Sequence, residues 1–176
     1  MYKIVLTHFE PFNGRVINAS KEVLNHFKNQ YDVISLPVSW EQVPDKIKEI
    51  LKSNPDILIL TGEAGNYKNI VIEQKAHNIS NGKDVNGVIK NNEKISLNSP
   101  QILETNVKIS RFCRLFGFDA GKYLCNYAYY TALENTKNTK VVFIHFPFIK
   151  EEGGEYLTKD LVKTFNEILD NIKEEN

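Results

Sequence analysis

The sequence predicts an α/β fold built on a mostly parallel sheet with helices packed against it. Two observations carry that expectation. Short apolar, β-rich runs alternate along the chain with amphipathic stretches of helical period, the pattern of strands joined by covering helices. The run Asp56-Ile57-Leu58-Ile59-Leu60-Thr61-Gly62 reads as a buried strand that ends in a Gly-rich turn, the place where open α/β sheets put ligands.

Taken in order, residues 4–6 form the first strand and a helix follows from about 20 to 29. Residues 31–38 are strand-like. Ser39 with Gln42 predicts a capping box for the next helix, in which Val43, Ile47, Ile50 and Leu51 share one face. Asn54-Pro55 stops that helix. Residues 70–73 are a further strand. The stretch 78–100 is rich in Asn, Gly and Ser and reads as a long excursion with room for a short hairpin. Residues 110–116 fit strand and helix equally. A helix over 121–135 and a strand over 140–146 come next. The last helix, from about 158, aligns Leu161, Phe165, Ile168, Leu169 and Ile172 on one stripe.

Composition narrows the function classes. At 176 residues the chain is the size of one domain, and no internal repeat or linker divides it. Lysine plus arginine and aspartate plus glutamate number 22 each, so there is no basic footprint for nucleic acid and no acidic excess. Two cysteines, Cys113 and Cys125, are too few for a disulfide framework or a zinc site, which suits reduced thiols in a reducing compartment. The N-terminal apolar run is too short for a signal segment, and no run approaches a membrane span. A soluble, cytoplasmic protein is expected.

Chemistry concentrates on a few residues. Cys125 falls in the first turns of a helix, where free N–H groups and the positive dipole end stabilise a thiolate; free Cys is equally at home as buried packing. His145, in Phe143-Ile144-His145-Phe146-Pro147, closes an apolar strand, so it is either a hydrogen-bonded core residue or a base at a strand end. A Cys–His pair is the minimum for nucleophilic catalysis through a thioester, with an acid to hold the imidazole in one tautomer. Glu73 is the best candidate for that acid, although a carboxylate after three β-branched residues belongs more naturally on the solvent face. Glu63 lies at the Gly62 turn as a ligand contact or an ordinary exposed acid. Phe9 and Phe12 bracket Glu10-Pro11 and either plug the core or flank a flat ligand. His8, His26 and His77 make no metal-ligand spacing, and Gly62 and Gly65 lack the rest of a nucleotide fingerprint. No metal and no cofactor are expected.

Together these segments resemble the pyroglutamyl peptidase I (pyrrolidone-carboxylate peptidase) family of cysteine peptidases. Thr7-His8-Phe9-Glu10-Pro11-Phe12-Asn13-Gly14 resembles the family's Thr-Gly-Phe-x-Pro-Phe-Gly-Gly, and Asn18-Ala19-Ser20 its Asn-Pro-Ser. Gly62-Glu63-Ala64-Gly65 is similar to its Gly-x-Ala-Gly turn. The segment from Glu73 to Asn78, the block Asp119-Ala120-Gly121-Lys122-Tyr123-Leu124-Cys125-Asn126 and the His145 strand follow in family order. The resemblance implies a three-layer α/β/α sandwich of the phosphorylase/hydrolase-like kind, with residues 1–176 as a single catalytic domain. It implies Cys125 as nucleophile, His145 as base and then acid, and Glu73 as orienting acid. Phe9, Phe12, Asn18, Glu63 and Lys83 fall on substrate-binding positions, with Lys83 where bacterial members place an Arg near the oxyanion. The implied partners are peptides with an N-terminal pyroglutamate, with no nucleic acid and no membrane, and the implied assembly is a homo-oligomer, tetramer or dimer. The chain departs from the pattern at His8 and Asn13, each replacing a Gly, at Asn66-Tyr67 in place of Gly-Arg, and in a segment before Cys125 that looks trimmed of a helix. Those departures motivate a second reading, a non-catalytic relative that binds a small amide or peptide N-terminus.

Overall fold

The structure, a computed structural model, describes residues 2–12, 14–149 and 154–176, with the side chains of 154–157 left out. In chain order the elements are β1 (Ile4–Phe9), α1 (Ala19–Asn25), β2 (Asp32–Leu36), α2 (Gln42–Lys52), β3 (Ile57–Glu63), β4 (Val71–Glu73), β5 (Lys75–His77), β6 (Ser80–Lys83), β7 (Ile89–Glu93), β8 (Ile102–Glu104), β9 (Phe116–Gly117), α3 (Leu124–Asn135), β10 (Lys140–Phe146) and α4 (Gly154–Glu175). A central sheet of six strands runs in the order β2-β1-β3-β10-β4-β9. Every neighbouring pair is parallel except β10 with β4. Outside it, β5 pairs with β8 and β6 with β7, both antiparallel.

Residue parity along the strands builds the layers. Ile4, Leu6, Ile57, Ile59, Val142 and Ile144 join one apolar cluster with α1 and α4. Val5, Leu58, Leu60, Val141 and Phe143 join the other with α2 and α3. Successive side chains of a strand point to opposite faces, so a sheet covered on both sides needs strands that are apolar at every position. The predicted α/β/α sandwich is the fold observed.

Several boundaries differ from expectation, each for a local reason. Helix α1 ends at Asn25, where the backbone N–H of His26 turns back to Val23 and Leu24 and the chain enters a series of turns. The Ser39–Gln42 capping box does not form: Glu41 is the N-cap and makes no side-chain cap bond, while the Ser39 hydroxyl accepts from Asn86. Residues 113–115 form a short 3-10 turn and Phe116–Gly117 a two-residue strand, and no α-helix lies between β8 and α3 among the described residues. Helix α4 begins at Gly154, ahead of the expected start.

The long excursion is ordered. Asn78 lies buried at its root; its amide donates to the Ser96 and Ser99 carbonyls and its carbonyl oxygen accepts from the Ile95 and Ser96 N–H groups. One side chain thus closes the loop that carries the β6–β7 hairpin. Losing these bonds leaves half-buried backbone groups of Ile95, Ser96 and Ser99 without partners, at about 1 kcal/mol each. Asn78→Ala is expected to lower unfolding free energy by roughly 2–3 kcal/mol in urea titrations and to speed proteolytic cleavage within the excursion.

Candidate active site

Strand parity and two glycines bring the chemistry-bearing side chains together. In β10, Phe143 and His145 point to the face covered by α3. Its neighbour β4 runs antiparallel with Glu73 opposite Phe143, so Glu73 lies on the same face. His145 pairs with Gly62 across the β10–β3 ladder. The absence of a side chain at Gly62 admits the Cys125 sulfur, which would stand 2.8 Å from a Cβ there. On the far side, a Cβ at Gly117 would run into Glu73 Oε2. The sheet therefore leaves room for the sulfur on one side of the imidazole and for the carboxylate on the other.

The bonds follow that placement. His145 Nδ1 is 2.7 Å from Glu73 Oε1, and with an ionised carboxylate the ring must donate. That assignment leaves Nε2 as the nitrogen available to the Cys125 sulfur, which sits over Gly62, the β3 partner of His145. Glu73 is wholly buried, and His145 is 5% exposed. The solvent-face expectation for Glu73 is thereby corrected: antiparallel pairing turns it inward under α3. Its backbone carbonyl accepts from the buried Tyr129 hydroxyl at 3.1 Å, and the Tyr67 hydroxyl donates to Oε1 at 3.0 Å. Burial alone would lower the His145 pKa; the charge and hydrogen bond of Cys125, then those of Glu73, more than reverse this and raise it to about 9.

Cys125 is the second residue of α3 and half-buried. The first helical bond runs from Tyr127 N to Tyr123 O at 3.0 Å, so the N–H groups of Leu124, Cys125 and Asn126 have no partner within the helix. Asn126, to which sequence reasoning assigned no role, anchors this turn. Its side chain accepts from His77 N and donates to the His77 and Ile79 carbonyls, each at 2.8 Å. The signal available for it was its place directly after the cysteine.

The other expected site residues divide. Phe9, two residues beyond the Thr7–Leu60 pair, is buried in the layer with α2 and α3. Phe12 is half-buried with its ring 5.9 Å from that of Tyr123, which meets Trp40 edge-on at 5.2 Å. Asn18 caps α1, accepting from Ser20 N at 3.0 Å and Ser20 Oγ at 2.6 Å, and its amide nitrogen is buried without a partner. Glu63 is no exposed turn acid. It accepts from Ala19 N at 2.8 Å and pairs with the Arg15 guanidinium at 2.9 Å, while Arg15 lies 3.8 Å above the Phe148 ring. Burial raises the Glu63 pKa, and the Ala19 N–H and Arg15 oppose it. Lys83 is exposed on β6; its carbonyl accepts from Tyr123 OH at 2.8 Å, and its ammonium makes no hydrogen bond or ion pair among the described residues.

Of the departures, His8 faces away from the site. Parity puts it with Leu6 on the α1 and α4 side, opposite Phe9, where burial holds its pKa below the ordinary imidazole value. Asn13 lies outside the described residues. No group of three metal-ligating side chains occurs among the described residues.

A thiol at a helix start beside an imidazole that is bonded to a buried carboxylate, at the strand ends of an α/β/α sandwich, is the set of groups a cysteine hydrolase uses. Comparison with known proteins narrows the class. The family model described as pyroglutamyl peptidase matches residues 2–160. The chain is 33% identical over 172 residues to the pyrrolidone-carboxylate peptidase of Thermococcus onnurineus (strain NA1), with 86% of each chain covered. It is 31% identical over 191 aligned positions to that of Thermosipho africanus (strain TCF52B), covering 97% of this chain and 91% of the relative. The crystal structure of the pyrrolidone carboxyl peptidase of Fervidobacterium islandicum AW-1 superposes with a TM-score of 0.87 at 28% identity, covering 99% of both chains. The chain belongs to the pyroglutamyl peptidase family.

Two outcomes test the geometry. Because the folded-state pKa of His145 lies above its ordinary 6.5, the imidazolium contributes fully below that pH and is lost as pH rises through about 9. His145 ring resonances are expected to titrate near that value, and Cys125→Ala should lower the midpoint, leaving Glu73 alone to oppose burial. Gly117→Ala drives a methyl into Glu73 Oε2 and should break the Nδ1–Oε1 bond, seen as loss of the downfield Nδ1–H proton resonance in a protein that still folds.

Proposed function

We propose that the protein is a cysteine exopeptidase that hydrolyses an N-terminal pyroglutamyl residue from peptides through a thioester. The observation that carries this reading is the line from Cys125 through the His145 imidazole to the buried Glu73, in a chain of this family. The Cys125 thiolate attacks the carbonyl carbon joining pyroglutamate to the next residue, and the carbonyl oxygen takes up the negative charge. Backbone N–H groups of the first α3 turn, which have no helical partner, meet that oxyanion; losing one such donor typically costs about 3–4 kcal/mol. His145 donates its Nε2 proton to the departing amine as the carbon–nitrogen bond breaks, leaving a thioester on Cys125. The same nitrogen then takes a proton from water, the hydroxide displaces the sulfur, and free pyroglutamate leaves. Glu73 holds Nδ1 throughout, so Nε2 always faces the sulfur.

Pyroglutamate carries no free amine, which suits a pocket of aromatic surface and neutral hydrogen bonds. A charged amino terminus there would be desolvated without a partner. Phe12 flanks the ring, Phe9 backs it from the core, and the spare Asn18 amide N–H suits a lactam carbonyl. Glu63 acts as support, holding the start of α1 against β3. Lys83 takes no part in this scheme. The whole chain serves as one catalytic domain, and its free thiols fit a reducing cytoplasm. Apolar Phe116 and Phe118, both exposed at the sheet edge, offer surface for a homo-oligomer.

The assay is release of a fluorogenic amine from its pyroglutamyl amide. Wild-type protein is expected to turn over, and Cys125→Ser and His145→Gln to lose at least about a thousandfold in kcat. Glu73→Gln keeps the shape but lets Nδ1 accept instead of donate, and should cost about 10²–10⁴ in kcat with little change in KM. A clean wild-type preparation without turnover, or a fully active Cys125→Ser variant, overturns the reading.

A further inference from the structure

Tyr67 touches the imidazole–carboxylate pair from outside the Cys125–His145–Glu73 line. Its hydroxyl donates to Glu73 Oε1 at 3.0 Å, the same oxygen that takes the His145 Nδ1 proton at 2.7 Å. Its ring centre lies 5.8 Å from that of His145, tilted by 54°. A turn closed by Tyr67 N and Ala64 O at 3.2 Å sets the residue just beyond β3. The other carboxylate oxygen, Oε2, is buried without a donor and faces Gly117. Apart from the imidazole itself, Tyr67 is therefore the only side-chain donor on this carboxylate among the described residues.

We propose that Tyr67 is a positioning residue for the reaction: its O–H locks Glu73 with Oε1 toward His145 and tempers the carboxylate charge that the imidazole feels, while its ring shields the pair from water. The inference rests on the catalytic reading of Cys125, His145 and Glu73. Two effects follow from the shared oxygen. A carboxylate held by two donors on one oxygen cannot rotate without breaking both bonds, so the imidazole keeps one orientation. A hydrogen bond into Oε1 also withdraws charge from it, which weakens its hold on the Nδ1 proton. Burial, then the Glu73 charge and bond, push the Tyr67 phenol up to about 12, so it remains a donor wherever the pair operates. The other charges that reach this cluster are Cys125 from α3 and, through Tyr67, Asp119 ahead of α3. Asp119 is itself paired with His77 at 3.4 Å.

The sign of the effect separates this role from simple packing. Tyr67→Phe keeps the ring and removes the donor, so Glu73 bears its whole charge against His145. The His145 midpoint, followed by NMR of the imidazole nitrogens, should rise by about half a pH unit. Tyr67→Arg restores a donor but adds a cation, and should move the midpoint down. With the pyroglutamyl amide, Tyr67→Phe should lose roughly tenfold in kcat, with KM within about twofold of wild type, and Tyr67→Arg should recover part of that loss. Midpoints equal in all three proteins, or a kcat loss in Tyr67→Phe matched by loss of folded protein on melting, overturn the proposal. The titration needs no substrate. Shifted midpoints in a protein without turnover would uphold the coupling of Tyr67 to the pair and sink the peptidase reading instead.

Discussion

The bond between His145 Nδ1 and Glu73 Oε1 is the interaction on which the rest of the site depends. Two ionisable side chains meet at 2.7 Å where almost no solvent reaches. Removing either partner would strand the other as a buried charge or an unpaired polar group. The fold supplies what keeps both: antiparallel β4 sets Glu73 opposite Phe143, and β10 carries His145 two residues further on the same face. Parallel pairing of β4 would need a crossover connection, which the short link from β3 leaves no room for. The one antiparallel junction of the main sheet is thus the junction that carries the acid.

Absence of side chains matters as much as their presence. Gly62 and Gly117 occupy adjoining strands on either side of the Glu73–His145 pair, and each leaves a place that a neighbour fills, the Cys125 sulfur in one and Glu73 Oε2 in the other. Asn126 completes the frame from the helix side, replacing strand pairing with three side-chain bonds to residues 77 and 79. The start of α3 is therefore held in register with the end of β5 and the residues just after it.

Much of this was legible in the sequence, and the parts that were not have physical causes. The runs at 57–60 and 141–144 are apolar at every position because both faces of the sheet are covered, and their unbroken, β-rich apolar character revealed them. Cys125 and His145 were legible because a helix start and a strand end are themselves readable. Glu73 was picked out as the candidate acid but its inward facing was not legible: three β-branched residues followed by an acid look the same whether the strand faces water or folds back under a helix, and only pairing direction decides. Glu63 stayed open between a ligand contact and an exposed turn acid because its partner Arg15 is far away in sequence. The capping box at Ser39 failed for a similar reason, since Asn86 in the distant excursion claims the hydroxyl. Asn78 orders that excursion through bonds to residues 95–99 that no local pattern announces.

The energetics of the pair argue for chemistry over stability. A buried ion pair is weak support for a fold, because desolvation offsets most of its attraction, and apolar residues of similar volume are often neutral or stabilising in its place. Here the cost is not even fully compensated, since Glu73 Oε2 has no donor. Tyr67 lends its hydroxyl to the oxygen that already holds the imidazole and leaves the orphaned one alone. An arrangement selected for stability would divide the donors between the two oxygens. One that concentrates both on Oε1 holds a single imidazole orientation and leaves the other ring nitrogen unclaimed by the carboxylate, as the proposed chemistry requires.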